Sequence, residues 1–112
     1  MNKEAKEMWI DALRSGKYTQ GKSCLKGVDG NYCCLGVLVE VFENYYGLKF
    51  NRQINSCKSA MEFGSFGSVA APPELVIAWI NLLPKHQTLL MNLNDKHGCN
   101  FAGIADLLEH LD

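Results

Sequence analysis

The chain has 112 residues, 47% of them apolar, and a formal net charge of −1. That length suffices to bury one core without disulfide or metal staples, so a single domain over residues 1–112 is expected. So small a charge sets up no global field for nucleic acid, a membrane surface or an acidic substrate, and any electrostatic recognition must be local. Cys24, Cys33, Cys34, Cys57 and Cys99 form an odd set without CxxC spacing, and the charged start Met1-Asn2-Lys3-Glu4 has no apolar stretch of a secretory signal. Reduced thiols and a cytoplasmic location are expected. No apolar run approaches the roughly 18 residues of a membrane span.

Along the chain, Ala5, Met8, Trp9, Ala12 and Leu13 recur at helical spacing and predict a first helix from Lys3 to Ser15, stopped by Gly16. A glycine-punctuated basic loop follows. Cys24 to Lys26 and Asn31 to Cys33 flank Gly27-Val28-Asp29-Gly30, whose Asp-Gly pair signals a small hairpin. From Cys33 to Tyr46 the apolar residues Cys34, Leu35, Val37, Leu38, Val41, Phe42 and Tyr45 predict the central helix, closed by Gly47, with burial outweighing the weak helix propensity of its valines. Periodicity fades from Leu48 to Ala71, where short strands are expected at Leu48 to Phe50 and Met61 to Phe63. Pro72-Pro73-Glu74 opens a helix through Trp79 and Leu82, and Pro84 ends it. A further helix spans Lys85 to Leu93, Asn94 to Gly98 reads as a turn, and Asn100 caps a last helix with an apolar face of Phe101, Ile104, Ala105, Leu108 and Leu111. The fold class is therefore α+β, mainly α, with four or five helices and a minor β-hairpin.

Gly16-Lys17-Tyr18-Thr19-Gln20-Gly21-Lys22-Ser23 spells the GxxxxGKS pattern of a P-loop. The chemistry needs a strand entering the loop and a helix opening at Lys-Ser, so that the helix N-terminus faces the phosphates. Here a helix precedes the loop and two glycines follow it, so a nucleotide hydrolase is rejected. Cys33-Cys34 at a helix start is a place where a thiol pKa falls, and with His86, His97 or His110 it would make a cysteine-dependent hydrolase. The surrounding apolar run favours packing instead, with Gly36 at a close helix contact. His97 and Cys99 lack nearby partners for zinc, and Asn92, Asn94 and Asp95 do not follow calcium-loop spacing, so no metal or cofactor is expected. The last helix exposes Asp106, Glu109 and Asp112, which would repel DNA phosphates. What remains is the basic loop. Arg14, Lys17, Lys22 and Lys26 supply charge, Gly16 and Gly21 let backbone N–H groups turn to an anion, Gln20 adds an amide, and Tyr18 or Tyr32 offers a stacking face. Arg14, Lys17, Tyr18, Gln20, Gly21, Lys22, Lys26 and Tyr32 are thus the candidate phosphate or nucleotide site.

Trp9…Ala12-Leu13-Arg14-Ser15-Gly16-Lys17-Tyr18-x-Gln20-Gly21-Lys22 and Tyr32-Cys33-Cys34-Leu35-Gly36-Val37-Leu38 resemble a family of short bacteriophage and prophage proteins. Pro73-x-x-Val76-x-x-Trp79 and Met91-x-x-Asn94-Asp95…Phe101-x-x-Ile104-Ala105-Asp106 are similar to its later blocks, so the likeness covers most of the chain outside Leu48 to Ala71. No catalytic residue carries over from it. The resemblance implies a phage accessory protein acting in the host cytoplasm in counter-defence, by binding rather than by turnover. Its expected partner is a nucleotide-type signal held by the basic loop, or else a host protein that it inhibits, and homo-oligomers are compatible with either.

Overall fold

The computed structural model describes residues 1–21, 25–26, 30–50, 52–54, 61–63 and 72–111, the two short strands as backbone only. Asn2 caps the first helix, α1 (Lys3–Arg14), its side-chain oxygen accepting from the Ala5 N–H at 3.0 Å. Ala5, Trp9, Ile10 and Leu13 form the buried face of α1, and the indole N–H of Trp9 donates to the Cys34 carbonyl at 2.9 Å. Gly16 at φ 77° turns the chain out of the helix, where any side chain would be strained.

The central helix α2 (Cys34–Tyr46) is buried along every residue from Cys34 to Val39, which accounts for its nearly continuous apolar run. Gly47 ends it in the left-handed conformation. Next come β1 (Arg52–Ile54) and β2 (Met61–Phe63), paired antiparallel with Gln53 opposite Glu62. The strand expected at Leu48 to Phe50 is irregular chain instead. Glu43, buried in α2, takes the Phe50 N–H on its carboxylate at 2.7 Å and the Leu48 N–H on its carbonyl at 3.1 Å, so those donors are withdrawn from any ladder.

Helix α3 (Glu74–Ile80) starts after Pro73, α4 (Pro84–Asp95) has its proline in the first turn, and α5 (Phe101–His110) is capped by Asn100, which accepts from the Gly103 N–H. The described residues thus give a mainly helical fold of five helices with one two-stranded sheet. Helix α1 lies against α5 and α2, α4 against α2 and α5, and α3 closes on α1 and α2 around one shared core. No helix among the described residues is long and apolar enough to cross a membrane.

Of the hairpin expected around Gly27 to Gly30, the described residues show one antiparallel bridge between its two flanking segments. Tyr32 bridges Lys26 antiparallel and Gln20 in parallel, so three chain segments meet at one residue. The turn at 27–29 lies outside the described residues.

Candidate functional site

Two of the loop's cations are already committed. Arg14, the last residue of α1, donates to Asp106 at 2.6 Å and to Glu109 at 2.8 Å on α5. The basic and acidic stretches of the sequence therefore meet partly as one helix-to-helix pair rather than as two separate surfaces. The pairing raises the guanidinium pKa, through Glu109 first and Asp106 next, and lowers that of Glu109. A carboxylate held below its ordinary pKa stabilises the fold above the ordinary range and loses that contribution as pH falls through the depressed value. Because the groups are exposed, the contribution is small and screened by salt. In a ¹³C NMR titration Glu109 should protonate below the ordinary glutamate range, and Arg14→Ala should return it there. An unchanged Glu109 midpoint in the variant would contradict the pairing.

Lys26 is the second committed cation, 3.9 Å from the Glu40 carboxylate and 5.1 Å above the Tyr32 ring. The Tyr32 hydroxyl donates to the same carboxylate at 2.8 Å. Gln20 faces inward, its amide donating to Asn94 at 2.9 Å and to the Cys99 carbonyl at 2.8 Å while its oxygen accepts from the Phe101 N–H. The Gly21 N–H donates to the Tyr32 carbonyl at 2.6 Å, so it is not turned toward a ligand. Lys22, with Ser23 of the P-loop pattern, lies outside the described residues, as does Cys24. The entering element is helix α1, and the helix after the loop begins only at Cys34.

Lys17 and Tyr18 remain together, on the wall of an open cleft of about 460 Å³. One wall is a stripe of α1 at helical spacing, Met8, Asp11 and Ala12, continued by its C-cap Ser15, and the other is Val41, Asn44 and Tyr45 of α2. Lys17 is exposed, and its ammonium meets no carboxylate among the described residues. Its backbone N–H donates to the Ser15 hydroxyl, which in turn donates to the Ala12 carbonyl and fixes the turn. Tyr18 is held by an edge-to-face contact with Tyr32 at 5.2 Å, and Asn44 lines the same cleft. Burial, then the charge of Glu40, pushes the Tyr18 hydroxyl above its ordinary pKa, so it stays protonated at neutral pH. Tyr45 is 52% exposed, and its ring packs on Tyr46 at 4.9 Å and on Trp79 at 5.7 Å. Asp11, Asn44 and Tyr45 were not singled out in the sequence. Their spacing marks two helix faces, but only packing shows that those faces oppose each other.

A second groove, of about 500 Å³, runs along the other flank of α1. There Lys3, Lys6 and Arg14 are set against Glu7, Asp11 and Glu109, a balance of charge with no aromatic face. Cys34 is fully buried, its thiol reaching the Leu90 carbonyl at 3.6 Å, and burial pushes its pKa well up. A thiol so placed is a packing element and not an activated nucleophile. Among the described residues no group of three histidine, cysteine or carboxylate side chains is placed to hold a metal.

Fold and cleft together define a small, mainly helical domain with a tyrosine-lined surface cleft. The chain belongs to the DUF8296 family, a domain of unknown function whose family model matches residues 1–112. No curated protein and no solved structure matches the chain.

Proposed function

We propose that this is a phage-encoded accessory protein that acts in counter-defence in the host cytoplasm by sequestering a nucleotide-type signal in the cleft between α1, α2 and the Lys17-Tyr18 turn. The observation that carries the reading is the meeting of one free lysine, two tyrosine rings and the Asn44 amide in a single cleft. Its volume of about 460 Å³ falls in the range of small-molecule sites. Tyrosine faces serve for stacking a base, and a lysine for a phosphate. Sequestration asks only for affinity, so it needs no catalytic set.

Calorimetry against a nucleotide panel tests the reading. Lys17→Ala should weaken binding by about 1.5–3 kcal/mol, the range of a charge-assisted hydrogen bond, and Tyr45→Ala by about 1–3 kcal/mol, that of a lost stacking face. Arg14→Ala should leave the affinity unchanged, because its guanidinium is turned to α5. Equal affinities for wild type, Lys17→Ala and Tyr45→Ala would remove the cleft from consideration.

The reading as a host-protein inhibitor has its own observation. Phe42, Tyr46, Leu48, Leu75, Ala78 and Trp79 line an apolar groove of about 450 Å³, with Leu75 65% exposed on its rim. On that reading a complex with a host protein is lost in Leu75→Glu and kept in Lys17→Ala, the opposite pattern to nucleotide binding.

A further inference from the structure

We infer that the chain forms a two-fold symmetric homodimer through the apolar groove between the end of α2 and α3, each copy seating its Leu75 in the groove of the other. The inference does not rest on nucleotide binding, and it gives the groove an occupant other than a host protein. Two walls make the groove. Phe42 and Tyr46 of α2, with Leu48 just past the Gly47 cap, form one, and Leu75, Ala78 and Trp79, at helical spacing on α3, form the other. Packed rings hold the walls together, since Trp79 meets Phe42 edge to face at 5.4 Å and Phe42 stacks on Phe50 at 5.7 Å. The rim is open: Tyr45 and Tyr46 are each half exposed, Leu48 nearly so, and Leu75 more than either. Tyr45, with its ring on both Tyr46 and Trp79, carries the same surface on beyond the groove.

Area, shape and charge name a second copy as the occupant. An aromatic side chain covers roughly 150–250 Å² and a leucine somewhat less, so Tyr45, Tyr46, Leu48 and Leu75 at these exposures present about 400 Å² of largely apolar surface. One partner's share of a standard interface is about 800 Å², of which roughly 450 Å² is apolar, so this one patch supplies nearly all of the apolar part. A leucine standing out on the rim of a groove is complementary to its own copy. A two-fold axis brings each Leu75 over the other copy's groove, and closed two-fold pairs are the commonest assembly of like chains. The same axis sets the α3 wall of one copy against the α2 wall of the other. Glu74, one turn before Ala78, stands at the edge of the first wall, and Lys49 follows Leu48 on the second, both exposed. Neither side chain has an ion pair among the described residues. In the dimer each Glu74 therefore meets the second copy's Lys49, a pair of unlike charges made twice over.

Sedimentation equilibrium of the full chain from micromolar to millimolar concentration tests this. The wild-type chain should pass from monomer to dimer within that range. Leu75→Glu, a change at an exposed position whose fold is checked by far-UV circular dichroism, should stay monomeric throughout. Glu74→Lys and Lys49→Glu should each weaken the dimer about tenfold at low salt, since each turns two attractions into two repulsions, and the double variant should return to within about threefold of wild type. If Leu75→Glu does not fold, the three charge variants, all at exposed positions, decide alone. A chain monomeric throughout, its groove closed by its own residues between β2 and α3 or kept for another protein, overturns the inference. So does a dimer that Leu75→Glu leaves intact, or one that the double reversal leaves as weak as the single reversals do.

Discussion

Gly36→Ala should cost about 3 kcal/mol or more and lower Tm by roughly 10–20 °C, although a glycine inside a helix ordinarily gains about 1 kcal/mol from that change. Gly36 lies in the first turn of α2, where a Cβ would collide with the Leu25 carbonyl oxygen and come within 2.6 Å of its carbon and 3.1 Å of its Cα. These are backbone atoms, which cannot rotate aside. Leu25 is also anchored, its side chain fully buried in the core and its carbonyl accepting the Cys33 N–H at 3.3 Å. Relief requires either lifting the start of α2, buried at every residue from Cys34 to Val39, out of the core or breaking the Leu25 contact. Both outcomes surrender a large part of the 5–15 kcal/mol that typically holds a domain together. Urea unfolding decides the matter, and a neutral or stabilising result would mean that residue 25 does not cross against α2.

A close approach at Gly36 was legible in the sequence, because a glycine in an otherwise large apolar run such as Tyr32 to Leu38 has few other uses, but the expected partner was a helix and the observed one is the non-helical backbone at Leu25. The helices were legible for a similar reason. Trp9 and Leu13, or Phe101, Ile104, Ala105 and Leu108, repeat at a spacing that only one backbone shape turns to one side, Gly16 and Gly47 mark where that shape stops, and Asn100 marks where it starts. What the loop residues do was much less legible. Arg14 finds its partners 92 and 95 residues away, and Gln20 finds Asn94 at a separation of 74. A pairing of that kind leaves no period in the chain, so loop residues read as a ligand site, Arg14 and Gln20 among them, divide in the structure between holding the fold and facing the cleft. Lys17 and Tyr18 face it, and the residues opposite them come from helix faces whose neighbours no local pattern records.

Asn94 is the clearest case, since the sequence placed it in a polar turn and the structure places it 1% exposed, with every hydrogen-bonding position of its amide filled. Its oxygen accepts from the Gln20 amide at 2.9 Å and from the Cys34 N–H at 3.2 Å. Its nitrogen donates to the Gly21 carbonyl and to the Asp95 carboxylate, both at 2.8 Å. The bond to Cys34 serves as the cap of α2, because the N-cap residue Cys33 offers no side-chain bond of its own. One amide thus ties the loop, the start of α2 and the end of α4, while Gln20 carries the tie on to the start of α5. Asn94→Ala strands several of these groups, each costing about 1–3 kcal/mol when left buried and unpaired, so a loss of about 3–5 kcal/mol is expected in urea unfolding. Asn94→Asp should be no better, since it loses both donated bonds and sets a carboxylate against the Gly21 carbonyl and Asp95. Gln20→Ala should also destabilise, and the double variant should lose less than the two single losses added, because both side chains belong to one network. Strict additivity would show that the two amides act independently, whereas a Gln20→Ala protein of full stability and weakened nucleotide binding would return Gln20 to the ligand site.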